Sequence, residues 1–313
     1  MVTADLRPMT IGEVLDRTFK LYKTEFWLFT GIMSLPFLVI FVFNVSVGAV
    51  SNGAVTSIRA GHIPSFSPGL IATGAGAILL FVIGILVLVS VGQAATIFAV
   101  SDIYLGRTAT IRGAFQQVRG HVLKVIGTII LIGLSMFGVI LLSVPVILVA
   151  SSLGAIAVAI SAFGLVLFLI FAVFGLVCRL SLAVPVVTLE NNGPVSALSR
   201  SWELTRSFAL QIFVIFLLYW VLSSVASMAF TFPFLFLSML PRPHVLPLSL
   251  VVLQDACSFV AQVLVAPVQT IAISLMYYNL RVRKEGFDLE HLIGSLGTSS
   301  TPDLSVPGAA LPL

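Results

Sequence analysis

The sequence predicts an all-α integral membrane protein: a bundle of about six transmembrane helices plus three amphipathic interfacial helices. Three observations carry this. Of 313 residues, 59% are hydrophobic and only 9% charged, whereas a soluble domain carries about 25% charge. Mean hydropathy is +1.15, which excludes a water-soluble globule and, except locally, a disordered chain. The apolar residues gather into six runs, each longer than the ~20 residues that a helix needs to cross a bilayer.

Taken in chain order, the polar stretch before residue 26 carries Asp5, Glu13, Asp16 and Glu25 and is read as no cleavable signal peptide. Within it, Ile11, Val14, Leu15, Phe19 and Tyr22 recur at helical spacing opposite Glu13, Asp16, Arg17 and Lys20. Thr10 and Glu13 form a capping box there, with Met9 and Val14 as its hydrophobic staple. Span one follows over 26–50 and span two over 69–105. A second amphipathic stretch, 110–121, sets Ile111, Ala114, Phe115 and Val118 against Arg112, Gln116, Gln117 and Arg119. Spans three (122–150) and four (154–189) are joined by a tight turn at 151–154. Asn192-Gly193-Pro194 starts a third amphipathic helix, in which Val195, Leu198 and Trp202 oppose Ser199, Arg200, Glu203 and Arg206. Spans five (208–232) and six (247–280) complete the set. Splitting a long segment would raise the count to seven or eight. Residues 294–313, rich in Gly, Ser, Pro and Thr, read as a disordered cytoplasmic tail beyond a membrane domain of 1–293.

An amphipathic stretch precedes each odd-numbered span, and the first and third match in residue type: Leu15-Asp16-Arg17-Thr18-Phe19 parallels Leu198-Ser199-Arg200-Ser201-Trp202. The expected organisation is a three-fold internal repeat over 10–105, 108–190 and 193–283. Each unit is a surface helix, a span out and a span back. The surface helices are expected in the headgroup region, with Arg17, Lys20, Arg112, Arg119, Arg200 and Arg206 contacting interfacial lipid. Fourteen basic residues fall in the tails and loops of one side, and only Arg59 and Arg242 on the other. By the positive-inside rule both termini are cytoplasmic, in the plasma membrane of a prokaryote.

Two further stretches carry a resemblance. Residues 277–288, Tyr-Tyr-Asn-Leu-Arg-Val-Arg-Lys-Glu-Gly-Phe-Asp, resemble the end of the membrane domain fused to some glycerophosphoryl diester phosphodiesterases. Residues 179–185, Glu190 and 197–206 are similar to that family's middle, and 6–17 to the opening of free-standing members. That family usually has Asp where this chain has Asn279. The resemblance implies a free-standing member without the catalytic barrel, which alone would need about 250 residues. No enzymatic activity, cofactor or metal is expected. His62, His121, His244 and His291 lie on opposite sides and lack the acids of a hydrolase metal site. Cys178 and Cys257 sit in apolar runs without metal-site neighbours. The basic residues flank spans and do not form a phosphate-tracking stripe, so no nucleic acid is expected as partner.

Polar residues inside a membrane are functional candidates by default. Gln93, Arg179 and Gln269 each stand about twelve positions before the cytoplasmic end of an even span. In one placement all three lie mid-membrane and line a polar site in which Arg179 holds an anionic head group. In the other, the preferred one, each even span crosses early and the three residues sit at the inner interface. The apolar ends beyond them then pack on the amphipathic helices. The function expected is a non-catalytic membrane scaffold or accessory subunit acting at the lipid interface, with membrane lipids and a membrane protein as partners. The alternative is a transporter or binding protein for a lipid or small anionic solute, using Arg179, Gln93 and Gln269.

Overall fold

A computed structural model describes residues 8–59, 68–152, 154–239 and 248–286. Arg7, His62, Arg242, His244, His291 and the tail 294–313 lie outside the described residues. The described chain is almost entirely helical, with short turns between elements: α1 (Ile11–Thr24), α2 (Phe26–Arg59), α3 (Pro68–Tyr104), α4 (Ile111–Val118), α5 (Val122–Leu141), α6 (Ser143–Ser152), α7 (Ala155–Leu180), α8 (Ala183–Leu189), α9 (Pro194–Thr205), α10 (Ala209–Met239) and α11 (Leu248–Glu285). Six segments are long and apolar enough to cross a membrane. The protein is an all-α, multi-pass membrane bundle.

Local chemistry sets the boundaries. The capping box of α1 is present: Glu13 N donates to Thr10 Oγ1 at 3.3 Å and Thr10 N donates to Glu13 Oε2 at 2.7 Å. Thr110 caps α4 by accepting from Gly113 N at 3.1 Å, and Pro194 opens α9. Two expected spans are interrupted. Span three breaks at Leu142, between α5 and α6, and span four at Ser181-Leu182, between α7 and α8. In both, a proline is the third residue of the new helix: Pro145 in α6 and Pro185 in α8. Neither can donate to the carbonyl four residues back, and its ring crowds that turn. Ser151 and Ser152, expected in a turn, complete α6, and Gly154 makes the reversal at φ +101°.

The spans form a ring in sequence order. α2 packs on α3, α3 on α5, α5 on α7, α7 on α10, α10 on α11, and α11 closes on α2. Around this ring, large apolar side chains such as Leu79, Leu134, Phe171 and Leu217 face outward, as lipid-facing residues do. At one end α3, α8 and α11 meet, and α11 is buried continuously from Ile271 to Leu280. The short helices gather there: α1 on α11 and α2, α4 on α3 and α2, α9 on α8, α5 and α7.

The short helices share a packing pattern. Counted from the N-cap, the fourth and eighth residues are buried in each: Val14 and Thr18, Ala114 and Val118, Ala197 and Ser201. Odd spans also receive the start of the following short helix. A Cβ on Gly31 of α2 would stand 2.6 Å from Ile111 Cδ1, and one on Gly127 of α5 would stand 3.0 Å from Pro194 Cγ. α1 turns Leu15 and Phe19 onto Ile215 and Leu218 of α10, which closes the set.

α1 differs from a helix lying across the bundle end. Its N-terminal end is held by Asn279, while Tyr22 near its C-terminus donates to the Leu264 carbonyl at 2.7 Å. The two anchor points are roughly 22 Å apart along α11, so α1 runs along that helix. Burial pushes the Tyr22 phenol above its usual pKa.

A lumen inside the ring

The ring encloses a lumen of about 490 Å³. Five of the ring helices and α8 line it, through Ile85 and Val89 of α3, Ile132 of α5, Val177 of α7, Val184 of α8, Phe216 of α10 and Ile273 of α11. Its walls are apolar. Its polar groups, Ser90, Gln93, Ser181, Gln269 and Thr270, cluster toward the end where α3, α8 and α11 converge.

Gln93 of α3 and Gln269 of α11 therefore line the same floor, and Gln269 also borders a small cleft against α1 and α10. This follows from the parallel course of α3 and α11: Tyr278 Oη donates to Ser101 Oγ at 2.7 Å, and the two glutamines stand two to three turns back from that bond. Neither glutamine amide has a hydrogen-bond partner among the described residues. The Ser90 and Ser181 hydroxyls donate to carbonyls of their own helix turns, those of Leu86 and Cys178, and keep lone pairs free to accept.

Arg179 is placed elsewhere. Its guanidinium lies 4.9 Å from the Trp202 ring centroid, a cation–π contact with α9, and its Nη1 is buried without a hydrogen-bond partner. Its carbonyl accepts from Ser201 Oγ at 2.8 Å and Thr205 Oγ1 at 3.2 Å. The polar residue that turns into the lumen from this segment is Ser181, two positions later. Counting from span ends selects Arg179 because it takes no account of the break at 181–182.

The family described as a domain of unknown function (DUF7847) matches residues 120–280, just over half of the chain. The chain belongs to this family. The matched residues span α5 to most of α11 and thus contain Gln269, Ser181 and most of the lumen wall, while Gln93 lies before them. No curated protein and no solved structure matches the chain.

Next to the lumen floor lies a charged clasp. Arg200 of α9 reaches Glu190 at 3.5 Å, Glu203 at 3.8 Å and Glu285 of α11. Arg281 Nε donates to Glu285 at 3.1 Å, and Tyr277 Oη donates to Glu190 Oε1 at 2.9 Å. Of the six basic residues expected at the lipid interface, Lys20, Arg112, Arg119 and Arg206 are exposed. Arg200 is turned into the clasp, and Arg17 stands over the Tyr104 ring at 4.9 Å. Asp102 accepts from Gln117 at 2.8 Å and faces Arg107 at 3.9 Å. Among the described residues, no three His, Cys, Asp or Glu side chains group closely enough to hold a metal ion.

Proposed function

We propose that this protein is a non-catalytic accessory protein of the membrane whose ring holds a molecule taken from the bilayer. One observation carries the reading: two amides, Gln93 and Gln269, face a half-open apolar lumen with no protein partner. Both side chains are half-buried; an amide set against apolar walls without a partner forfeits part of its hydration, a cost that reaches roughly 1–3 kcal/mol when burial is complete, so a molecule that pairs with both amides would be favoured there. The lumen volume falls in the range of about 300–1,000 Å³ typical of small-molecule sites. The resemblance to the membrane domain of glycerophosphoryl diester phosphodiesterases, itself an accessory to a catalytic barrel, supports the non-catalytic role. The fourteen-to-two distribution of basic residues supports cytoplasmic termini in a prokaryotic plasma membrane. The recurrent burial pattern of α1, α4 and α9 supports reading the chain as three copies of one unit.

The test is native mass spectrometry of protein extracted gently with its own lipids. A bound lipid is expected at about one copy per chain, and it should fall severalfold in the Gln93→Leu/Gln269→Leu double variant. An Arg179→Met variant, altered outside the lumen, should keep it. Wild-type protein that carries no bound lipid would overturn the reading.

A further inference from the structure

We infer that the lumen takes a lipid with an uncharged, hydroxyl-bearing head, admitted sideways from the hydrocarbon layer; this rests on the lumen's being a binding site. The direction of entry comes from where the lumen opens. Val82, at the far end of its lining, is 52% exposed and lies roughly 16 Å along α3 from Gln93. Met136 lines the same end from α5. Both walls continue well beyond this mouth: α3 runs back to Pro68, roughly 20 Å farther, and α5 is followed by α6 to Ser152. The flanking surface is apolar, with Leu79, Leu80 and Ile83 exposed on α3 and Leu134 and Phe137 on α5. The mouth thus faces the layer in which acyl chains lie. The opposite end is closed where α3, α8 and α11 meet.

The head-group class comes from the polar end. Among the described residues, no charged side chain lines the lumen. Arg179, in the segment just before Leu180 and Ser181 of the lining, is turned onto Trp202. A carboxylate or phosphate drawn into this apolar channel would lose its hydration without gaining a counter-charge, which is strongly unfavourable. Two primary amides supply donors and acceptors together, and the hydroxyls of Ser90, Ser181 and Thr270 add acceptors. A hydroxyl head that both donates and accepts satisfies this set, with its chain extending along the apolar wall toward Val82.

Two photoreactive probes with the same eighteen-carbon chain test this, one ending in an alcohol and one in a carboxylic acid. Each is incorporated into vesicles containing the full chain, at a pH where the acid is ionised. After irradiation, cross-linked peptides are mapped. The alcohol should label the lumen segments of α3 and α5 at least tenfold more than the acid. Val82→Trp, a substitution at an exposed position that narrows the mouth without touching the polar end, should suppress that labelling. Equal or preferential labelling by the acid would overturn the head-group class while leaving a lumen that binds lipid. Labelling by the alcohol that Val82→Trp does not reduce would overturn entry through this mouth. Absence of lumen labelling by either probe would overturn this inference and the proposed function with it.

Discussion

At the residue scale, Asn279 shows how one side chain fixes the start of the chain to its end. It is 1% exposed. Its Oδ1 accepts from Met9 N at 2.8 Å and its Nδ2 donates to Met9 O at 3.1 Å, so the side-chain amide bridges the N–H and C=O of one residue as a neighbouring antiparallel strand would. Arg283 Nη2 also donates to Met9 O at 2.7 Å, and its Nε stands 3.4 Å from Oδ1. Asn279→Ala leaves the Met9 amide without its acceptor, a loss of about 1–3 kcal/mol. Hydrogen exchange over 8–24 should accelerate about tenfold or more. Asn279→Asp keeps an acceptor for Met9 N and gains attraction to Arg283, so its exchange should stay closer to wild type. Exchange unchanged in the Ala variant would mean that the pairing does not hold α1. The sequence marks position 279 as unusual for the family it resembles, but the partner, 270 residues away, is not written in any local pattern. The same holds for Gln93 and Gln269. Their polarity within apolar runs singles them out, while their sharing one floor depends on the relative placement of α3 and α11.

At the element scale, α11 is a helix with a built-in weak point. Pro267 lies inside it, lacks an N–H and crowds the preceding turn. Tyr22 donates to the Leu264 carbonyl in that turn. Tyr22→Phe should destabilise the protein by roughly 0.5–1.5 kcal/mol. In a Pro267→Ala background the restored N–H bonds the Val263 carbonyl four residues back and the ring no longer crowds this turn, so the Leu264 carbonyl is less available to Tyr22 and the same change should cost less. Unfolding in detergent of the four proteins of this double-mutant cycle measures the coupling; strict additivity would sever Tyr22 from the kink. The elements themselves were largely legible. Caps at Thr10, Thr110 and Pro194, and the 3.6-residue periodicity, locate the short helices, because those signals are local. The breaks at Leu142 and at Ser181-Leu182 are visible only through Pro145 and Pro185. A proline alone does not decide between a kink and a break, since α2, α10 and α11 each continue through one. The course of α1 along α11 was not legible, because amphipathicity fixes which face is buried and not which neighbour buries it.

At the scale of the whole molecule, the ring and its short helices carry a regularity that bears on how the protein sits in the bilayer. Two residues into α2, α5 and α10, the side chains of Trp27, Leu123 and Leu210 are 82%, 84% and 79% exposed. Exposed basic residues precede each of them: Lys20, Arg119 and Arg206. A large apolar side chain one turn or two beyond a cation is the arrangement favoured where a helix passes from head groups into hydrocarbon. If the three units are copies arranged around the ring, these three positions mark one plane. A tilted or asymmetric seating would instead spread them through the bilayer. Single cysteines at 27, 123 and 210, each carrying a nitroxide, should report depths that agree within about one helical turn, 5.4 Å. All three should lie nearer the head groups than a label at the exposed position 171. The plane matters for the lumen, because it fixes the depth of its floor. α3, α8 and α11 converge on the side from which α2, α5 and α10 start, so the amides of Gln93 and Gln269 lie inward of this plane and the mouth at Val82 lies deeper still. Three labels at clearly different depths would break the equivalence of the units and with it the placement of that mouth among acyl chains.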